Sequence, residues 1–125
     1  MNSIFSLGRF LFAIPIALFG ISHFLNLDRL SAMAPGGKIG VGLAGLGMLA
    51  AAAAFILKKY DKLAAVMLAF MILLFLILIH IPEYTRAIDA VDKMNAMSGI
   101  LKDLIITGAS LLYARHTASD SSIIG

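Results

Sequence analysis

Apolar residues fill this chain in four long blocks parted by short polar stretches. The blocks cover about 4–25, 38–57, 62–81 and 98–114. A hydrocarbon core of about 30 Å takes roughly 20 helical residues, so each block predicts one membrane-spanning helix. The second and third blocks have no polar face: residues 39–57 carry no charge, and residues 63–79 are wholly apolar. A helix that is apolar all round needs lipid or a large protein around it. A chain of 125 residues is too short to supply the latter. The pattern therefore predicts an all-α fold, a four-helix transmembrane bundle, with residues 1–125 forming a single membrane domain.

The connections differ in kind. Residues 26–37 form a turn-rich loop containing Pro35-Gly36-Gly37. Lys58-Lys59-Tyr60-Asp61-Lys62 is a tight basic turn, which makes the second and third spans an antiparallel hairpin. After Pro82, the residues Tyr84, Ile88, Val91 and Met94 recur near helical spacing, while Glu83, Arg86, Asp89, Asp92 and Lys93 take the other positions. Residues 82–97 thus predict a short amphipathic interfacial helix between the third and fourth spans. The polar tail beyond His116 predicts disorder. Pro15 frees the carbonyl of Leu11 and predicts a kink in the first span.

Composition agrees with lipid as the solvent. The chain is 61% hydrophobic and 14% charged, with a mean hydropathy of +0.98, whereas soluble domains average about half apolar and about a quarter charged. The formal charge of +3 does not point to nucleic acid, because the basic residues form no continuous face. They report topology instead. Four spans place both termini and the turn 58–62 on one side, with Arg9, Lys58, Lys59, Lys62 and Arg115. The other side holds Arg29, Lys38, Arg86 and Lys93, and Lys102 lies just inside it. The dense turn decides the expectation: both termini cytoplasmic, in the cytoplasmic (inner) membrane. Ala32-Met33-Ala34 has the small-x-small form of a cleavage site, but Pro35 follows and the apolar run has already ended, so the first span is expected to be retained. The chain has no cysteine, which removes disulfides, thiol redox chemistry and thiolate metal sites. Electron transfer would run through a bound cofactor, a quinone or a partner.

Candidate chemistry lies with ionisable residues inside the spans, since Arg, Lys or Asp at a helix centre costs at least ~2.5 kcal/mol. Arg9 and His23 share one face of the first span with Ala13, Ile16 and Gly20. Only about 20 Å of helix separates them, less than the hydrocarbon thickness, so at least one enters it. The plainer alternative has Arg9 snorkelling to headgroups and His23 in the interface. His80 closes the apolar run of the third span, where a lone histidine is more often structural than a ligand. In the fourth span, the stretch from Leu104 to Ala114 is too short to cross, which draws Lys102 and Asp103 into the membrane. Asp103, Thr107 and Ser110 make one polar face. The plainer alternative is a structural Lys–Asp or His–Asp pair that only fixes helix packing.

His23, His80, Lys102 and Asp103 all belong at similar depth in the outer half of the membrane, and Arg9 lies about 21 Å away along its helix. Two imidazoles, an ammonium and a carboxylate in low dielectric suit hydrogen bonding and proton exchange with a carbonyl. A quinone headgroup has that requirement. A metal is the weaker reading, because the two histidines come from separate helices with no spacing motif.

Two patterns concern packing. Gly40-Val41-Gly42-Leu43-Ala44-Gly45 matches G-x-G-x-x-G, but it lies in a span with no βαβ unit, so it is not a dinucleotide site. Gly36, Gly40, Ala44, Gly47 and Ala51 set small residues at steps of four and three, which predicts a close-packing helix within the bundle or in a homodimer.

Three stretches resemble the DoxX-like family of small membrane proteins: Gly8-Arg9-Phe10-Leu11-Phe12 through Gly20-Ile21-Ser22-His23-Phe24, then His80-Ile81-Pro82, then Leu101-Lys102-Asp103-Leu104-Ile105-Ile106-Thr107-Gly108. The resemblance covers most of the chain, and Asp103 stands where many relatives look to have Asn. It implies a four-helix membrane protein associated with redox systems, because some relatives are subunits of quinone-linked oxidoreductases. It also implies functional positions at Arg9, His23, His80, Lys102 and Asp103. The leading expectation is a membrane subunit that binds a quinone and works with a redox partner protein. Lys102 and His80 would donate to the carbonyl oxygens, Asp103 would orient His80 or accept a proton, His23 would supply a further donor, and Arg9 would hold the cytoplasmic end of the bundle. A non-catalytic scaffold for a partner complex is the second expectation. A small transporter is the third, ranked last because the first span has no Asp or Glu.

Overall fold

The computed structural model describes residues 2–125. In chain order these form α1 (Asn2–Leu25), α2 (Leu27–Ser31), α3 (Gly37–Leu57), α4 (Asp61–Phe75), a π-helical turn (Leu76–His80), α5 (Ile81–Arg86) and α6 (Ala90–His116). Helix α4, the π turn and α5 follow one another without a break. Among the described residues, Ser3–Leu25, Gly37–Leu57, Asp61–Arg86 and Ala90–His116 are long and apolar enough to cross a membrane. Large apolar side chains point outward along them, among them Leu11, Ile39, Phe70 and Ile105, all more than half exposed. No aqueous solvent would favour that surface, and lipid does. The chain is a multi-pass integral membrane protein.

Each span packs against its neighbour in sequence: α1 on α3, α3 on α4, and α4 on α6. Phe55, Ile16, Leu68 and Ile72 are the largest fully buried apolar side chains. Phe55 packs in tilted geometry against Phe12 and Tyr113, with ring centroids 5.2 and 4.7 Å away, which draws α1, α3 and α6 together. Helices α1 and α3 approach closely. A Cβ on Gly20 would meet the Gly45 carbonyl oxygen at 2.9 Å, and one on Gly45 would meet His23 Cβ at 2.9 Å. Only glycine lets these backbones touch.

The structure changes two expectations and narrows a third. The small-residue stripe of α3 is used inside the chain: Ala44 and Ala51 are buried, Gly47 faces Met71 of α4, and Gly40 abuts the Pro35 carbonyl. The homodimer contact expected for Gly40, Ala44, Gly47 and Ala51 therefore gains no support. Residues 82–97 do not make a helix of their own. Residues 82–86 prolong the third span, and α6 begins at Ala90, eight residues before the expected boundary. Asp89 causes this start, because its side chain accepts the backbone N–H of Asp92 at 2.9 Å as an N-cap. The tail beyond His116 is held in place, since the N–H groups of Ser119 and Asp120 bond the buried Asp61 carboxylate at 2.9 and 2.8 Å.

Candidate functional site

His80 owes its position to the proline two residues on. Pro82 has no N–H for the carbonyl one turn back, and its ring crowds that turn. The helix accommodates it by widening into the π turn Leu76–His80, which shifts the following side chains around the axis. His80 ends that turn and faces α6. Its Nδ1 lies 2.5 Å from Asp103 Oδ2. A carboxylate only accepts, so the ring nitrogen donates, and in a neutral imidazole Nε2 then keeps its lone pair.

Helix α6 is shaped to receive the ring. A Cβ on Gly99 would fall 2.6 Å from His80 Cδ2, so the imidazole lies directly on the helix backbone. One turn further along, Asp103 is only 1% exposed, and Thr107 and Ser110 continue the same buried face. Lys102 Nζ stands 3.6 Å from Asp103 Oδ1, an ion pair beyond hydrogen-bond range, and 5.0 Å from the centroid of the Phe19 ring. Among the described residues Asp103 Oδ1 and Thr107 Oγ1 are buried without a hydrogen-bond partner.

His23 approaches from α1. Its Nδ1 donates to the Phe19 carbonyl at 2.7 Å, and its ring stacks on Phe75 at 6.2 Å. His23, His80, Lys102 and Asp103 all line one cavity of about 420 Å³, whose remaining wall is mostly apolar. All four spans contribute to it, and Leu30, Met33 and Pro35 of the 26–37 connection close over it. The Lys38–Asp28 ion pair, 2.6 Å long, ties α2 to the start of α3 and holds Asp28 below the usual carboxylate range. Such a cavity, apolar with a few convergent polar groups, is the usual form of a small-molecule site. Glu83 also lines it; the sequence reading placed Glu83 on a surface helix, because the π turn that brings it round has no signature except Pro82. Among the described residues no group of three metal-ligating side chains gathers.

Arg9 is not part of this cavity. It lies toward the opposite end of the bundle, over the Tyr113 ring at 5.9 Å, with Nη2 reaching Ser119 Oγ at 3.4 Å. It belongs to a second polar cluster centred on Asp61, which sequence reasoning took for a turn residue. Asp61 is fully buried and accepts from Tyr113 Oη at 3.0 Å and from the two tail N–H groups. An acidic residue opening an apolar block, with a tyrosine near the end of another, was the available signal.

Comparison with known protein families, curated proteins and solved structures finds no match to this chain.

Proposed function

We propose that this membrane protein binds a quinone or hydroquinone headgroup in the His80 cavity and serves as the membrane subunit of a redox partner, as the DoxX-like resemblance suggests. The observation that carries this reading is the His80–Asp103 pair set in the wall of an apolar cavity. With Nδ1 committed to Asp103, His80 Nε2 is an acceptor. It takes the proton of a hydroquinone hydroxyl, while the Asp103 carboxylate offsets the charge gained by the ring. This reverses the donor role expected for His80. Lys102 donates to the second oxygen of the headgroup, and His23 Nε2 offers a further acceptor. Oxidation of the hydroquinone releases two electrons to the partner's acceptor and two protons, the first of them through His80. The cavity sits in the extracytoplasmic half of the bundle, with both termini cytoplasmic.

The test is equilibrium binding of a short-chain benzoquinone and its hydroquinone to purified protein, compared with His80→Ala and Asp103→Ala. Both variants should weaken binding at least tenfold, roughly one lost charge-assisted hydrogen bond. Equal affinity in all three proteins would sink the site. The orientation is checked with a single cysteine at Ser119 in this cysteine-free chain: an impermeant thiol reagent should label it only after lysis.

A scaffold role is favoured by one observation, the tight seating of His80 on Gly99, which also locks the third span to the fourth. In that case Asp103→Ala lowers the melting temperature and partner recovery, and no quinone binds to the wild type.

A further inference from the structure

A second hollow runs along the outside of the bundle between α3 and α4, with a volume of about 810 Å³. One wall is made of small side chains, including Gly47, Ala50 and Ala54, and the other of larger ones, including Leu63 and Met67. On α3 it extends from Leu43 to Leu57, about 21 Å of helix, which exceeds the ~15 Å depth of one leaflet. Lys59 and Tyr60 stand at its mouth.

The charge at that mouth is unbalanced. Lys58 and Lys59 are exposed, and among the described residues neither forms an ion pair. Lys59 Nζ rests 5.7 Å from the Tyr60 ring centroid. Asp61, the acidic residue next in the chain, is turned inward and taken up by Tyr113, Ser119 and Asp120. Lys62 is engaged by the Gly125 carbonyl. The charge of the Asp120 carboxylate interacts with Lys59, and this carboxylate already accepts the Tyr60 N–H at 2.7 Å. Two lysines thus face one acid at the shared end of two spans, directly above an apolar trough.

The geometry points to a binding site for an anionic phospholipid, with one acyl chain in the trough and the phosphate between Lys58 and Lys59. A zwitterionic lipid carries its own ammonium to this turn and gains less. A second copy of the chain, related by a two-fold axis along the membrane normal, would set two basic turns side by side, which like-charge repulsion opposes. This site does not depend on the quinone reading of the His80 cavity, with which it shares only Leu74 among the lining residues.

The experiment is native mass spectrometry of purified, delipidated full-length protein offered equal phosphatidylglycerol and phosphatidylcholine. The wild type should retain phosphatidylglycerol in preference, with each lysine contributing roughly fivefold. Lys58→Gln with Lys59→Gln should abolish the preference while phosphatidylcholine retention stays the same. Ala50→Leu, at an exposed position in the trough wall, should lower retention of both lipids and keep their ratio. Equal retention of the two lipids by the wild type overturns the proposal. So does a dimer without lipid, or an Ala50→Leu protein that holds lipid as the wild type does.

Discussion

The His80 ring lies against the backbone at Gly99, so close that a methyl group on Gly99 would stand 2.6 Å from His80 Cδ2. The histidine reaches Asp103 only because residue 99 has no side chain. Gly99→Ala should therefore expel the ring from its place. Alanine is favoured over glycine in a helix by about 1 kcal/mol, while overpacking costs about 1–3 kcal/mol, so the net destabilisation is about 0–2 kcal/mol. Quinone affinity should nevertheless fall as far as in His80→Ala. Thermal unfolding alongside binding separates the two effects. Unchanged affinity in Gly99→Ala would mean that the ring's seat is irrelevant to the site.

Asp103 should be tolerant of an isosteric change and intolerant of an apolar one. Asp103→Asn keeps an acceptor for His80 Nδ1, so the fold should hold while the charge that supports proton uptake is gone. Hydroquinone binding should weaken more than quinone binding, by about tenfold. Asp103→Leu leaves the His80 donor unpaired in a buried position, at a cost of about 1–3 kcal/mol. Titration calorimetry with both redox forms, beside thermal melts, checks the ordering.

At the other end of the bundle, Asp61 joins the start of α4 to the end of α6 and the tail. Asp61→Ala orphans Tyr113 Oη and the N–H groups of Ser119 and Asp120. With a lost hydrogen bond near 1 kcal/mol and an unsatisfied buried group at about 1–3 kcal/mol, destabilisation of roughly 2–4 kcal/mol is expected. Limited proteolysis should cut the 117–125 segment rapidly in the variant and slowly in the wild type. Equal cutting rates would show that Asp61 does not hold the tail.

The Asp120 carboxylate gives the tail a pH dependence. Hydrogen bonds from the Ser122 side chain and from the backbone N–H of Tyr60 and Ser122 hold it below its ordinary value of 3.8. A depressed carboxylate contributes stability that is complete above that ordinary value and is lost as pH falls through the lower folded value. A spin label on Ile123→Cys should keep the same mobility from neutral pH down to about pH 4 and loosen only below it. Loosening between pH 5 and 7 would contradict this assignment.

The α1–α3 contact supplies a fifth expectation. Gly45→Ala presses on His23 Cβ at 2.9 Å and on the Gly20 carbonyl at 3.1 Å. Both obstacles are fixed to the backbone of α1. Destabilisation of about 1–3 kcal/mol should be accompanied by displacement of His23, visible as a shift of its ring resonances.

The number of spans and their approximate limits could be read directly from residue order, because a hydrocarbon slab imposes one requirement on every crossing segment: length with apolar character. Leu63 to Ile79 meets it whatever surrounds them. The polar face of Asp103, Thr107 and Ser110 was legible for the same reason, since helical periodicity alone brings the three residues together and oil repels them inward. Lateral relations were not legible. That His80 meets Asp103 depends on a π turn forced by Pro82 and on the absence of a side chain at Gly99, two local causes whose result appears only when two helices lie side by side. That Arg9 joins Asp61 and Tyr113, and that the tail is pinned, depends on backbone N–H groups finding a carboxylate some sixty positions away in the chain. Residue order determined which segments enter the membrane and which of their faces turn inward. Tertiary packing decided which inward-facing groups touch, because contact across helices is governed by rotation and close approach, and neither is written in the period of any one helix.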